Sequence, residues 1–189
     1  MTLTKTKFRE NCLQKIKALP KHNTIYRNKK INQKLLKEIK RLKPKRILFY
    51  YPLGFEADIL DTLTIMRQKS EVYIPFMQRQ SFKMVPFRLP LKRKKFGIYE
   101  AGNTIRNINK IDIAIVPAVG VDGNLQRVGF GKGMYDRFFA GLKKRPYTIF
   151  IQPSLCYTKE SICDDYDISC DILLTPNVRL LKTKVKRGR

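Results

Sequence analysis

Apolar positions along the chain follow two periods in turn, one helical and one extended, and the alternation predicts a mixed α/β protein. Phe8, Cys12, Leu13, Ile16 and Leu19 form a stripe near the helical period, predicting a helix over 3–19 that Pro20 ends. Ile31, Leu35, Leu36, Ile39 and Leu42 predict a second helix over 28–42, broken by Pro44. The continuous apolar run at 46–51 is expected of a strand buried on both faces. A Pro52-Leu53-Gly54 turn, a helix over 58–68 and a strand over 71–76 follow. This strand–helix–strand order predicts a parallel sheet with right-handed crossovers. Further strands are expected at 82–89 (antiparallel), 111–116, 147–151 and 172–174, with a helix over 132–142 and a basic loop over 92–109.

Ligands of parallel sheets sit beyond the carboxyl ends of the strands. In this chain those ends are 52–58, 75–79 and 117–137. The last holds the densest chemistry: Gly129, Gly131 and Gly133 alternate, Lys132 stands among them, and Tyr135, Asp136 and Arg137 follow. Glycines let backbone amides approach an anion, lysine adds a point charge, and a carboxylate suits Mg²⁺. The loop is not a Walker A motif, because Gly133 rather than Ser or Thr follows Lys132. Even spacing by two also separates it from a dinucleotide fingerprint. Taken alone, a G-x-G-x-G is equally a flexible turn before a helix.

Composition narrows the partners. Lys and Arg number 40 against 15 Asp and Glu, a formal charge of +25. The bases are spread over all segments, and no aromatic-basic RNA motif or zinc-finger spacing occurs, so the charge reads as a steering field for anionic substrates. The alternative reading is a basic RNA-binding protein with a degenerate nucleotide loop. Cys12, Cys156, Cys163 and Cys170 form no C-x-x-C, and His22 is the one histidine, so zinc and His-based catalysis are not expected. Buried free thiols are. No apolar run reaches membrane-spanning length and the first residues lack a signal-peptide core, so a cytoplasmic protein with no membrane partner is expected. One domain over 1–189 is expected, with 182–189 as a mobile basic tail.

The run from Val116-Pro117-Ala118 through Asp122-Gly123 and Arg127-Val128-Gly129 to Tyr135-Asp136-Arg137 resembles the glycine loop of the 5-formyltetrahydrofolate cyclo-ligase family. The likeness extends to Lys5 and Arg9, to Glu56 after the first strand, to Tyr73-Ile74-Pro75, and to the closing Asp167-Ile-Ser-Cys-Asp171. Pattern and resemblance together lead to an α/β three-layer sandwich, with a mostly parallel central sheet and helices on both faces. The resemblance implies ATP- and Mg²⁺-dependent conversion of 5-formyltetrahydrofolate, free or polyglutamylated, to 5,10-methenyltetrahydrofolate. It implies ATP contacts from Lys5, Arg9, Gly129, Phe130, Gly131, Lys132, Gly133, Met134 and Tyr135, with Lys132 and Arg127 as catalytic cations. Asp136 would hold Mg²⁺. Glu56 would bind the pterin edge, with Tyr51, Met84, Tyr99 and Tyr135 as walls of the folate site. Plainer readings stand beside these: Lys5 and Arg9 as solvated charges, Glu56 and Asp136 as helix-start carboxylates, Met84 as core. Phe130, Met134 and Ala101 depart from residues usual in the family, without removing a charge the chemistry requires.

Overall fold

The computed structural model describes residues 3–94, 99–105 and 108–182. In chain order its elements are α1 (Lys5–Lys17), a 3₁₀ turn (Lys21–Asn23), α2 (Thr24–Leu42), β1 (Arg46–Leu48), α3 (Leu60–Arg67), β2 (Glu71–Gln78) and β3 (Ser81–Pro86). Then come β4 (Lys92–Arg93), β5 (Tyr99–Glu100), β6 (Ile113–Pro117), β7 (Gly120–Val121), β8 (Arg127–Val128) and α4 (Met134–Ala140). The chain closes with β9 (Tyr147–Ile151), β10 (Ile172–Leu174) and β11 (Arg179–Leu181).

Seven strands form the central sheet in the order β11-β10-β9-β6-β1-β2-β3. The inner pairs β10–β9, β9–β6, β6–β1 and β1–β2 are parallel, and the edge strands β3 and β11 are antiparallel to their neighbours. Because side chains alternate across a strand, the sheet divides its own apolar residues between two cores. Ile47, Ile113, Ile149 and Ile172 face α2 and α3, whose Ile31, Leu35, Ile39 and Leu63 cover them. Leu48, Ala114, Phe150 and Leu173 face the opposite core with Phe138 of α4. The expected three layers are present.

Helix α1 belongs to neither layer. Its Phe8, Cys12 and Ile16 pack in a third cluster against Val119, Val128 and Cys156, beyond the carboxyl ends of β6 and β9. Thr4 starts the helix by accepting a hydrogen bond from the Lys7 amide at 3.2 Å. Cys12 and Cys156, expected as free thiols, are joined by a disulfide across 144 residues; Cys163 and Cys170 are free. Spacing along the chain could not suggest a pairing between such distant segments.

Several boundaries differ from the sequence expectation for definable reasons. Helix α2 begins at Thr24, one turn early, because its exposed Ile25 and Tyr26 add nothing to the buried stripe. Strand β1 ends at Leu48, although Phe49 and Tyr50 stay buried; the apolar run reports burial past the end of the ladder. Helix α4 starts at Met134 rather than Lys132, because Gly131 and Gly133 take φ of +90° and +59°, outside the right-handed helical region. The segment expected as a basic loop contains the short pair β4–β5. Of the expected tail, Lys182 is described; the rest lies outside the described residues, as does Ile98.

Candidate active site

The strand order reverses between β1 and β6. From β1 the chain moves outward to β2, while β6 lies on the other side of β1 and leads on to β9. Such a switch point leaves a crevice beyond the carboxyl ends of the two strands. Here the connection after β1 (49–59) and the connection after β6 (118–133) meet. Phe55, Glu56 and Ala57 from the first face Pro117, Ala118 and Phe130 from the second. The Phe55 and Phe130 rings lie 4.9 Å apart at this crevice, which holds about 10 Å³, room for roughly one water.

Glu56 accepts a hydrogen bond from the Leu53 amide at 2.9 Å. Loss of hydration pushes its carboxyl up to about 7, against the lowering effects of the Leu53 amide and the nearby Arg127 charge. Arg127 is 6 % exposed and donates from Nε to the Pro117 carbonyl at 2.8 Å. Its guanidinium lies 4.8 Å from the Tyr135 ring centroid. Desolvation lowers the Arg127 pKa, opposed by the charges of Asp136, Glu56 and Asp167 and by Tyr135. Arg127 is therefore the common counter-charge of Glu56 on one side and the two aspartates on the other.

On the far side of the glycine loop lies a larger cleft of about 540 Å³. Lys5 and Arg9 reach it from α1; Gly129, Gly131, Lys132 and Gly133 form its loop wall. Arg127, Asp136, Arg137, Asp164 and Asp167 complete its charged lining. Arg9 donates from Nε to the Gly129 carbonyl at 2.8 Å, so α1 is tied directly to the loop. Lys5 is not a free cation: its ammonium binds Asp164 at 3.1 Å and also Asp167. Burial would lower its pKa, but the hydrogen bonds to Asp167 and Asp164 prevail and raise it. Arg137 donates to the Lys132 carbonyl and, at 2.6 Å, to the Gln80 carbonyl in the β2–β3 turn, tying the loop to that hairpin.

The loop demands glycine at position 129 for space. A Cβ there would stand 2.4 Å from Arg127 Nη1 and 2.8 Å from its Cζ. Gly129→Ala is therefore expected to displace the buried guanidinium, since nearly fixed packing around it leaves little room to yield. A fall in melting temperature with a loss of nucleotide-dependent stabilisation would show this. An unchanged melt would mean the guanidinium moves freely.

Asp136, Asp164 and Asp167 line one cleft; Asp164 is paired with Lys5 at 3.1 Å, and Asp136 Oδ1 accepts the Ile168 amide at 3.2 Å, which places it against the 164–168 turn and Asp167. Among the described residues no group of three His, Cys, Asp or Glu side chains is placed to hold a metal. A pair of carboxylates with no nitrogen or sulfur donor suits a hard cation that keeps water or phosphate oxygens for its other ligands.

Other expected site residues lie elsewhere. Met84, expected as a wall of the folate site, is 1 % exposed and packs in the core with Leu48, Phe82 and Phe138. Tyr51 and Tyr99 pair with each other at 5.3 Å and line neither the cleft nor the crevice. Met134 and Tyr135 turn inward from the first turn of α4 against the second core, Tyr135 lying 5.0 Å from Phe82. Phe130 faces the crevice, while Gly129 and Gly131 face the cleft. Arg137, Asp164, Tyr166 and Asp167 line the cleft without having been given a role from sequence. Their signal was available: Asp164, Asp165 and Asp167 put three acids into four positions of a very basic chain.

The same arrangement of chain is found in known proteins. The solution structure of Aquifex aeolicus 5,10-methenyltetrahydrofolate synthetase matches 99 % of this chain and 95 % of its own, with a TM-score of 0.81 at 24 % identity. A 5,10-methenyltetrahydrofolate synthetase from Mycoplasma pneumoniae matches with a TM-score of 0.69 at 23 % identity, over 93 % of this chain and all of that one. These likenesses show a shared fold. In sequence, a 5-formyltetrahydrofolate cyclo-ligase of Mycoplasma pneumoniae is 28 % identical over 174 residues, covering 91 % of this chain and 98 % of the relative. The model of the 5-formyltetrahydrofolate cyclo-ligase family matches residues 1–176, a span that takes in α1, the switch-point crevice, the glycine loop and the 164–167 turn. The chain therefore belongs to the 5-formyltetrahydrofolate cyclo-ligase family.

Proposed function

We propose that the protein converts 5-formyltetrahydrofolate to 5,10-methenyltetrahydrofolate at the expense of ATP, with Mg²⁺ as cofactor. The observation that carries this reading is the partition made by the glycine loop. One of its sides faces a cation-rich cleft of a volume suited to a nucleoside triphosphate, and the other faces the Glu56 crevice. Two substrates could meet across that wall. In the reaction, the formyl oxygen takes the γ-phosphoryl group of ATP, which turns a poor leaving group into a phosphate ester. N10 of the folate then attacks the formyl carbon, the ring closes, and inorganic phosphate leaves. Phosphoryl transfer asks a protein for position and charge neutralisation more than for a nucleophile.

The residues present answer to that need. Lys132 and Arg9 lie along the loop wall for the phosphates, and Lys5, held by Asp164 and Asp167, would have to share its charge with them. Arg127, buried beneath the loop, lines the cleft and would present a positive charge to the phosphates there. Asp136 and Asp167 would hold Mg²⁺, which when bound would neutralise phosphate charge. Glu56 would accept hydrogen bonds from the N–H edge of the pterin. For a pterin to enter the crevice, the Phe55 and Phe130 rings, 4.9 Å apart, would have to separate. Growth of the methenyl-folate absorbance band on mixing protein, 5-formyltetrahydrofolate and Mg-ATP tests the proposal. No band with either substrate omitted, and a band with both present, supports it. No band with all components overturns it.

The raised pKa of Glu56 gives this reading a pH signature. A carboxylate is needed for two N–H acceptors, so folate affinity should rise as pH increases through about 7. The sign for stability is opposite. With a folded-state pKa above its unfolded value, Glu56 favours folding most below about 4.5, and this contribution is lost as pH rises through about 7. Glu56→Gln should thus melt at a higher temperature than wild type at pH 8 while its folate KM rises and loses its dependence on pH. A KM profile identical in the two proteins would remove Glu56 from the folate site.

A further inference from the structure

The cleft leaves one part of a nucleotide without a partner. Its glycines and cations suit phosphate, and its aspartates suit a metal, but a purine base needs a flat apolar surface. Among the described residues that line the cleft, Tyr166 is the single aromatic one. Tyr166 is 73 % exposed, so the fold itself does not cover the residue.

The ring is nevertheless held. Tyr166 Oη donates to Asp164 Oδ2 at 2.8 Å, and Lys5 donates to the same oxygen at 3.1 Å. The Lys5 ammonium stands 5.6 Å from the ring centroid. Lys5 itself is anchored on Asp167, whose Oδ2 also accepts the Asp164 amide at 2.8 Å. An exposed tyrosine is thus set by a network that includes two groups of the phosphate and metal end of the cleft. The cation lies toward one side of the ring, and the exposure leaves surface for a second flat group.

We propose that Tyr166 is the stacking platform for the base of the nucleotide whose phosphates lie along the glycine loop. This rests on the reading of the cleft as a nucleoside triphosphate site. Stacking on an aromatic face needs no hydrogen-bond pattern, so purine bases other than adenine should also be accepted. The folate's aromatic parts are not the occupant, because Glu56 and its crevice lie on the other side of the loop wall.

The experiment compares Mg-ATP with Mg-tripolyphosphate, which has the phosphates without the base, as ligands that raise the melting temperature. Wild type, Tyr166→Ala and Tyr166→Phe are titrated with each, without folate. Wild type should bind ATP at least roughly tenfold more tightly than tripolyphosphate. Tyr166→Ala should lose that advantage and keep its tripolyphosphate affinity, and its folate KM should be unchanged. Tyr166→Phe, which retains the ring without the Asp164 hydrogen bond, should keep most of the advantage. The proposal is overturned if Tyr166→Ala weakens both ligands equally, which would mark Tyr166 as a support for Lys5 and Asp164. It is also overturned if wild type binds both ligands equally. If neither ligand stabilises wild type, the triphosphate reading of the cleft fails first, and the platform with it.

Discussion

Asp136→Asn is expected to lower turnover by at least about tenfold, more than roughly 1.4 kcal/mol of barrier, with little change in melting temperature. The two halves of this expectation come from different oxygens. Asp136 Oδ1 accepts the Ile168 amide at 3.2 Å, and an asparagine oxygen can do the same, so the turn that carries Asp167 keeps its place. The second oxygen carries the charge that a hard cation requires, and an amide nitrogen there is a donor that repels one. Asp164 and Asp167 of the same cleft are engaged by Lys5, so with Asp136 and Asp167 as the proposed metal ligands the change would remove one of two anionic groups. The measurement is kcat against Mg²⁺ concentration. Turnover recovered in full at saturating Mg²⁺ would mean weakened metal affinity alone, and turnover normal at every concentration would take Asp136 out of the metal site.

Replacing Cys12 and Cys156 together by alanine, or reducing them, is expected to cost up to about 5 kcal/mol of stability, since the bond closes a loop of 144 residues. The nucleotide cleft should suffer much less. Helix α1, which brings Lys5 and Arg9, is also held by buried Phe8 and Ile16, each worth roughly 1.5–3 kcal/mol. To these the Arg9 bond to the Gly129 carbonyl and the Lys5 ion pairs add direct links. Apolar burial of that size keeps the helix docked in the native state after the covalent link is gone. Reduced protein should therefore melt at a lower temperature yet still gain stability from Mg-ATP. In a reducing compartment the dithiol would be the form that functions. If reductant abolishes the stabilisation by ATP, the disulfide rather than the apolar cluster is what holds α1 at the site.

The success and failure of individual positions follow one physical line. Strands β9 and β10 stand at the residues expected, because a short, continuous apolar run in a sheet covered on both faces has few other ways to be buried. Strands β7 and β8 were not anticipated: two residues each, they exist through pairing with one another and leave no periodic trace. The edge strand β11, with a mostly exposed pattern, is likewise defined by its partner β10. Arg9 bonds the glycine loop across more than a hundred residues, and Lys5 lines the same cleft. Spacing on α1 alone showed no more than two charges on one side of a helix.

Sequence by itself determined the local terms: which segments carry apolar stripes, where Pro20 and Pro44 stop helices, and that the glycine loop can take backbone conformations closed to other residues. Those are properties of a residue and its near neighbours. Tertiary structure decided direction and company. It turned Phe130 into the crevice and its flanking glycines into the cleft, and drew Met84 and Tyr135 into the second core. It paired Lys5 with Asp164 and Asp167, and joined Cys12 to Cys156. Each of those outcomes depends on which distant segment occupies the facing space, and the reversal of strand order between β1 and β6 is what brings those segments together.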